Sequence, residues 1–239
     1  MQEEFSRAAM LIGEDGIKTL RQKTVLLFGL GGVGSYVAEA LARGGIGKLI
    51  LVDNDTVNIT NINRQLIALH STIGQPKTAV TATRIHDICP QTQVVTHDLF
   101  YLPETADAIP FDGVDYIVDA IDTVTGKLEI AVRAQAAAVP LISCMGTGNK
   151  LDPSKLVITD IYKTDTCPLA KIMRRELKAR GIKALKVVYS TEPAIKPSVP
   201  ADGSRPTPGS VSFVPSAAGL LAAAQVIKDL LNISERPHG

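Results

Sequence analysis

The chain has 239 residues, enough to bury a substantial core, and 45% of them are hydrophobic, as in an ordinary globular protein. A formal net charge of +1 excludes a surface that is basic throughout, so any surface for a polyanion must be local. Three cysteines without a C-x-x-C pair exclude a four-cysteine zinc site and argue against a disulfide framework.

The N-terminal segment 1–23 is charged, and its apolar side chains recur at helical spacing around two glycines, which predicts two short helices. It lacks the apolar core of a signal peptide, and no apolar run in the chain reaches the ~18 residues of a membrane span. We therefore expect a cytoplasmic protein with no membrane span.

The stretch 24–55 predicts a strand, a glycine turn, a helix and a second strand. Its apolar run at 25–28 is typical of a strand buried in a parallel sheet, and Gly29, Gly31 and Gly34 follow in a G-x-G-x-x-G pattern. The helix and second strand are predicted at 35–43 and 48–52. A glycine turn before a helix offers backbone N–H groups to an anion, so this stretch predicts nucleotide binding.

Strands and helices continue to alternate along the chain as far as residue 144. The predicted elements are a helix at 78–88, strands at 93–98 and 114–120, a helix at 127–138 and a strand at 141–144. Strands that alternate with helices form parallel sheets with right-handed crossovers. The pattern therefore predicts an α/β fold with a doubly wound, Rossmann-like sheet.

The chain changes character after that strand. We assign 1–150 to a nucleotide-binding domain and 151–239 to a smaller α+β extension packed on the same domain. Five prolines in 193–209 exclude a regular element and predict an exposed, flexible loop. The other predicted elements are strands at 155–161 and 186–189 and helices at 169–179 and 219–231.

Polar side chains gather after the second predicted strand. Asp53 follows Gly34 at the separation at which an acid meets a ribose hydroxyl. Arg64 and Lys77 could neutralise a triphosphate, and Asp122, after a later buried strand, could hold Mg2+ through its oxygens. A cap on the following helix is the alternative role for Asp122. The remaining polar members are Asp55, Asn61, Asn63 and Gln65.

Four segments together resemble the ThiF/MoeB/HesA family of adenylating enzymes, which are relatives of the ubiquitin-activating (E1) enzymes. They are GLGGVGS at 29–35, LVDNDTVNITNINRQ at 51–65, GQPK at 74–77 and DAID at 119–122. The resemblance implies a sheet of the E1/ThiF/MoeB type and identifies 1–150 as an ATP-binding adenylation domain. It also implies attack by a substrate carboxylate on the α-phosphate of ATP, with release of pyrophosphate.

The same resemblance implies roles for individual residues. Arg64 and Lys77 would bind the phosphates and Asp122 the Mg2+, whereas Arg7 would reach the ATP site of a neighbouring subunit, which predicts a homodimer. These four residues are the catalytic candidates, because three positive charges and a Mg2+ held by Asp122 would stabilise the phosphates during attack. The candidate ATP-binding residues are Gly29, Gly31, Gly32, Gly34, Asp53, Asp55, Asn61, Arg64, Gln65 and Lys77.

The second half of the chain narrows the activity within that family. The chain lacks the paired C-x-x-C motifs of the sulfur-carrier activators and has no room for the cysteine domain of ubiquitin-type activators. Residues 146–182 and 187–197 are similar to the bacterial tRNA threonylcarbamoyladenosine dehydratases. That similarity implies ATP-driven cyclisation of the threonylcarbamoyl group on adenosine 37, in the anticodon loop of tRNA, with loss of one water.

A basic stretch also points to RNA. Seven cations and one acid fall within the sixteen residues 171–186 of an otherwise neutral chain, and backbone phosphates suit such a patch. The candidate tRNA-binding residues are Lys171, Arg174, Arg175 and Lys178. Tyr162 and Tyr189 are the nearest candidates for base stacking. The alternative interpretation is a helix face that is only solvated.

Two other functions remain open at the level of sequence. One is E1-like adenylation of the C-terminus of a ubiquitin-like sulfur-carrier protein, and the other is an NAD-binding regulatory module, which would leave Arg64 and Lys77 without a ligand. An accessory partner of the cysteine-desulfurase type, which would supply sulfur, is also open. Cys144 and Cys167 are conceivable nucleophiles, but we interpret them as packing and loop residues because cyclisation within the substrate needs no covalent enzyme adduct.

Overall fold

The structure, a computed structural model, describes residues 3–196 and 208–233, so most of the predicted loop at 193–209 lies outside the described residues. The strands are β1 (Thr24–Phe28), β2 (Lys48–Asp53), β3 (Gln93–Asp98), β4 (Tyr116–Asp119), β5 (Leu141–Cys144), β6 (Leu156–Asp160) and β7 (Lys186–Ser190). The helices are α1 (Ser6–Arg21), α2 (Gly34–Arg43), α3 (Lys77–Ile88), α4 (Val124–Ala136), α5 (Pro168–Ala179) and α6 (Phe213–Leu230).

These strands form one seven-stranded sheet in the order β3-β2-β1-β4-β5-β7-β6. Among these strands of the described residues, only β6, at the edge, pairs antiparallel to its neighbour. Strand β1 lies between β2 and β4 and is buried on both faces, because α2, α3 and α6 cover one face of the sheet and α4 and α5 cover the other. The predicted doubly wound α/β sheet is confirmed.

Element boundaries differ from the predictions by a few residues, with identifiable causes. Helix α1 is broken at Gly13 (φ 75°, ψ 161°), which agrees with the two short helices predicted there. Helix α6 begins at Phe213 and not at Gly219, because Pro215 lies in its first turn, where a missing N–H costs no hydrogen bond. Strand β4 is shorter than predicted and ends at Asp119.

Helix α6 closes the fold over the first half of the chain. A Cβ on Gly219 would lie 2.4 Å from the carbonyl oxygen of Val33, so this glycine permits close packing of α6 on α2. By length and composition alone α6 could cross a membrane. In this fold its buried face packs on α2 and on the strands of the sheet. Its first turn thereby reaches the carboxyl edge of the sheet.

Candidate functional site

A pocket of about 560 Å³ lies at the carboxyl edge of the parallel strands, within the range of roughly 300–1,000 Å³ typical of ligand sites. Helices α2 to α6 each contribute a lining residue from their N-cap or first turn. These residues are Val33, Lys77, Thr123, Leu169 and Pro215. Helix N-termini attract negative charge through unpaired N–H groups and the helix dipole, so the pocket suits a polyanion.

The glycine loop between β1 and α2 combines structural glycines with open space. Gly29 has φ +86°, and a Cβ on it would lie 2.8 Å from the Ala120 carbonyl oxygen. A Cβ on Gly34 would lie 1.8 Å from the Gly29 oxygen, so Gly34 packs within the loop and does not line the pocket. Among the described residues, a Cβ on Gly31 would meet only Gln65 Nε2, at 3.9 Å. The space beside Gly31 can therefore admit a phosphate.

Asp53 ties the end of β2 to the glycine loop. Its Oδ2 accepts a hydrogen bond from the backbone N–H of Leu30 at 2.6 Å, and its Oδ1 accepts one from Asp55 N at 2.8 Å. Burial raises the pKa of Asp53 above its usual value, and the Lys77 ammonium opposes that shift only in part. The carboxylate lines the pocket beside the loop, where a ribose hydroxyl could donate to it.

Lys77 supplies a buried positive charge at the pocket wall. It is the first residue of α3 and only 4% exposed. Its Nζ lies 2.7 Å from Oδ2 of Asp55, whose side chain is largely exposed. A desolvated ammonium interacts more strongly with an anion than an exposed one does, because water screens it less. The arrangement therefore places a buried cation at the pocket wall, where a phosphate could bind to it.

The segment that follows β2 adds three further predicted residues to the pocket lining, namely Asn61, Arg64 and Gln65. The Arg64 Nη1 donates to the carbonyl oxygen of Thr60 at 2.8 Å and to Oδ1 of Asn63 at 3.0 Å. Gln65 is 7% exposed, and its Oε1 has no hydrogen-bond partner among the described residues. A buried acceptor normally has a donor, so a hydroxyl or amino group of a ligand would fit there.

Asp122 lies in the loop 120–123 between β4 and α4, lines the pocket and is exposed. The N-cap of α4 is Thr123, so the alternative role of Asp122 as a helix cap is wrong. Within 3–196 and 208–233, no group of three or more His, Cys, Asp or Glu could hold a metal. A magnesium ion here would therefore depend on at most two protein carboxylates, Asp122 among them, together with oxygens of a ligand.

A buried ion pair with no signal in the sequence supports the loop 120–123 on the side of the protein interior. Lys127 Nζ donates to both carboxylate oxygens of Asp119 at 2.9 Å, and Ser143 Oγ donates to the same carboxylate at 2.5 Å. Both charges are inaccessible to solvent. Asp119 lies at the start of the loop and Lys127 in the first turn of α4, so the pair joins the two ends of the segment that presents Asp122.

Other parts of the pocket wall also had no signal in the sequence. The apolar side is formed by Val52, Leu99, Ile121 and Phe100, and Phe100 is 49% exposed. An aromatic ring and aliphatic side chains offer a surface on which a base can stack. The residues 208–210 form a further side. They lie at the end of the proline-rich loop 193–209, where no local pattern predicts contact with a site in the first half of the chain.

Arg7 is the catalytic candidate that does not line the pocket of its own chain. It lies on the exposed side of α1, and no ion pair to it occurs within the described residues. Its neighbours Met10 and Leu11 are 83% and 88% exposed. The placement of Arg7 is compatible with the predicted contact to a second subunit, which stays a prediction.

The basic stretch is only partly exposed. Lys171, Arg175 and Lys178 project from α5 into solvent, whereas Arg174 is half-buried and donates to the Thr164 carbonyl oxygen at 2.7 Å. One nitrogen of the Arg174 guanidinium is thus used within the fold, and the contact of this residue with tRNA stays a prediction. Lys186 likewise pairs with the carboxylate of Asp229 on α6.

The two tyrosines predicted to stack on bases, Tyr162 and Tyr189, are poorly placed for that role. Tyr189 is buried, so its ring cannot serve as an exposed stacking platform. The hydroxyl of Tyr162 donates to the Ile182 carbonyl oxygen, which holds that ring against the body of the protein. Phe100, at the pocket, is a more exposed aromatic ring than either tyrosine.

The three cysteines are free and buried. Cys144 lines the pocket, and burial raises the pKa of its thiol to about 12, which disfavours the thiolate that acts as a nucleophile. Cys167 is the N-cap residue of α5 and buried, so it is a core residue and not an exposed loop residue. The packing role is the better interpretation of both.

Comparison with known proteins identifies the family of the chain. The model of the ThiF family matches residues 5–238. The chain is 44% identical to the tRNA threonylcarbamoyladenosine dehydratase of Bacillus subtilis over 97% of this chain and 96% of that protein. It is 33% identical to the sulfur carrier protein ThiS adenylyltransferase of Escherichia coli, over 62% of this chain and 60% of that one.

Solved structures give the same result. The structure of E. coli tRNA N6-threonylcarbamoyladenosine dehydratase, TcdA, in complex with ATP superimposes with a TM-score of 0.89. That superposition covers 99% of this chain and 97% of the other, at 32% identity. Together, the match over almost the whole chain and the shared fold show that this chain belongs to the ThiF family, in its branch of tRNA threonylcarbamoyladenosine dehydratases.

Proposed function

We propose that this protein uses ATP to cyclise the threonylcarbamoyl group on adenosine 37 of tRNA, with net loss of one water. The observation that carries the proposal is a polyanion pocket whose glycine loop, Asp53, Lys77 and Asp122 converge in a chain that matches such a dehydratase end to end. We place the reaction in the cytoplasm, as the composition leads us to expect.

The catalytic contribution of the pocket is to position ATP and to stabilise the charge on its phosphates. Asp53 would hold the ribose, while Lys77, Arg64 and the helix N-termini would hold the phosphates and leave the α-phosphorus open to the substrate carboxylate. Attack forms a bond from a carboxylate oxygen to the α-phosphorus and expels pyrophosphate. An atom of the same threonylcarbamoyl group then attacks the carbonyl carbon, and AMP leaves with that oxygen. The proton lost on ring closure passes to solvent.

A magnesium ion fits this arrangement. Proteins usually hold Mg2+ through one or two carboxylates together with substrate phosphates. Asp122 is an exposed carboxylate that lines the pocket. The ion would neutralise charge on the phosphates, and the buried pair of Asp119 and Lys127 would fix the loop that presents Asp122. We therefore include Mg2+ in the proposed reaction.

We further propose that the active form is a homodimer in which Arg7 of one subunit completes the pocket of the other. Arg7 does not line the pocket of its own chain, and it lies beside Met10 and Leu11, which are both strongly exposed. Exposed apolar side chains around a charged residue are a common feature of protein interfaces. An arginine delivered in this way would stabilise charge on the α-phosphate during attack.

The exposed cations of α5 form the proposed surface for tRNA. Leu169, in the first turn of α5, lines the pocket, so Lys171, Arg175 and Lys178 lie on a helix that begins at the site of reaction. Arg175 is also paired with Glu176 at 2.8 Å, but its side chain is largely exposed and remains accessible to a phosphate.

Replacing Lys171, Arg175 and Lys178 together by glutamine should weaken tRNA binding at least about tenfold. The slope of log K against the logarithm of the salt concentration should become shallower by about two, because each lost phosphate contact removes ~0.7–0.9 of slope. Titration of tRNA at several salt concentrations measures both quantities, and ATP affinity should not change. Lys18, Lys155 and Lys228, exposed elsewhere, provide a triple variant with the same loss of charge as a control. Equal effects of the two variants would contradict a specific surface on α5.

The alternative function is adenylation of the C-terminus of a ubiquitin-like sulfur-carrier protein. The similarity to the ThiS adenylyltransferase of E. coli favours it, but that similarity covers only 62% of this chain. The three cysteines are buried, so a cysteine-desulfurase-type partner would find no exposed thiol to which it could pass sulfur. We therefore rank this function second.

One experiment separates the two functions. Threonylcarbamoylated tRNA is incubated with the protein, ATP and Mg2+, and its nucleosides are analysed by mass spectrometry. The proposal requires loss of the mass of one water from the modified adenosine when ATP is present and no loss when ATP is omitted. Protein that binds ATP but leaves the nucleoside unchanged would contradict the proposed substrate and direct the search to carrier-protein C-termini.

A further inference from the structure

Asn149 joins two segments of the chain at the rim of the pocket. Its φ is +59°, a left-handed conformation that asparagine adopts more readily than most residues do. Its backbone N–H donates to the Gly209 carbonyl oxygen at 2.8 Å, and its Oδ1 accepts from Gly209 N at 2.6 Å. Its own carbonyl oxygen accepts from Ile195 N at 2.8 Å. A single residue therefore holds backbone from both 193–196 and 208–210.

The segment held by Asn149 forms part of the pocket. Pro208, Gly209 and Ser210 all line it. A Cβ on Gly148 would lie only 3.0 Å from the Cβ of Pro208, so the turn before Asn149 and the segment 208–210 are in close contact. The position of this wall depends on the paired hydrogen bonds between Asn149 and Gly209, because two hydrogen bonds fix both the distance and the orientation of the Gly209 backbone relative to Asn149.

A second set of hydrogen bonds connects the same wall to the phosphate-binding side. The carbonyl oxygen of Ser210 accepts from Asn63 Nδ2 at 2.9 Å. Oδ1 of Asn63 in turn accepts from Nη1 of Arg64 at 3.0 Å. The amide of Asn63 therefore has both its donor and its acceptor engaged. A displacement of residue 210 would disturb one of the two hydrogen bonds that hold Nη1 of Arg64, since the other goes to the carbonyl oxygen of Thr60.

We propose that Asn149 is a positioning residue of the nucleotide pocket. By fixing Gly209 it sets the wall at 208–210, and through Asn63 it supports one of the two hydrogen bonds that position Arg64. The inference rests on the proposed use of ATP in this pocket, but it concerns binding of the nucleotide and not the identity of the second substrate. Neither Asn149 nor Asn63 touches the nucleotide in this proposal; they act through the wall and through Arg64.

Two variants of Asn149 separate its side-chain acceptor from its backbone conformation. Asn149→Gly retains the left-handed conformation and removes Oδ1, whereas Asn149→Asp retains an acceptor for Gly209 N. We expect Asn149→Gly to bind ATP about fivefold more weakly, the effect of one lost hydrogen bond, and to raise the KM for ATP more than it lowers kcat. Asn149→Asp should restore binding to near the wild-type value.

Calorimetric titration with ATP measures the affinity, and hydrogen exchange of peptides that contain Ile195 and Gly209 measures whether their N–H groups remain protected. Asn232 is the matched control, since it is also left-handed (φ +53°) but follows the far end of α6. Asn232→Gly should leave both measurements unchanged. The proposal is overturned if Asn149→Gly binds ATP as tightly as the wild type, or if Asn232→Gly weakens binding equally. Wild-type protein that binds ATP but does not modify tRNA would instead overturn the proposed substrate alone.

Discussion

Replacing Asp122 by alanine should lower ATP-dependent dehydration of the tRNA nucleoside by at least about a hundredfold, the scale of loss when a group that stabilises transition-state charge is removed. The carboxylate lines the pocket in the loop 120–123 and is exposed. It makes no ion pair or hydrogen bond within the described residues, so its removal should cost little stability. We therefore expect Asp122→Ala to lower the reaction rate and to leave the folded state intact.

The measurement is the initial rate of nucleoside conversion at saturating ATP and Mg2+, with circular dichroism and size-exclusion chromatography to check fold and assembly. Asp112→Ala is the matched control, because Asp112 is also exposed but precedes β4 and does not line the pocket. That variant should retain the wild-type rate. Substantial activity of Asp122→Ala would show that Asp122 does not hold the metal.

The second large effect is a restoration of activity on mixing two inactive proteins. Arg7→Ala and Asp122→Ala should each be inactive alone, yet a mixed dimer would contain one site with its own Asp122 and with Arg7 from the other subunit. After random exchange of equal amounts, half of the dimers are mixed and each has one intact site, so we expect about one quarter of wild-type activity. Co-expression with two affinity tags, followed by the nucleoside assay, measures this quantity.

The control for this experiment mixes Arg7→Ala with a double variant that carries both substitutions. Every site in that mixture lacks Arg7, so no activity should return. If Arg7 acts within its own chain, or does not act at all, the first mixture would show no gain over its separate components. A monomeric protein by size-exclusion chromatography would exclude the shared site before any activity is measured.

The predictions from sequence succeeded where a local pattern determines the geometry. The G-x-G-x-x-G loop after an apolar strand, and Asp53 at the end of the next strand, must lie at one edge of a parallel sheet, because crossovers are right-handed and short. Lys77 begins α3 and Asp122 lies between β4 and α4, so the topology brings both to the same edge. The structure places these residues around one pocket.

Contacts between distant parts of the chain leave no signal in the sequence. Gly209 and Asn149 are 60 residues apart, and Asn63 and Ser210 are 147 apart, and no periodicity relates such positions. The environment of the tRNA candidates is a similar case. Counting charges identified Arg174 as basic but could not show that Thr164 accepts its hydrogen bonds.

The glycine loop has a consequence for how the family can diverge. Gly29 and Gly34 are required by the fold, because a side chain at either would collide with backbone atoms, whether or not a nucleotide is bound. The open space beside Gly31 imposes no such requirement on the empty protein. A descendant that lost nucleotide chemistry but kept this fold would therefore conserve Gly29 and Gly34 and be free to change Gly31. A glycine at position 31 would thus indicate retained nucleotide binding, whereas glycines at 29 and 34 would indicate only the fold.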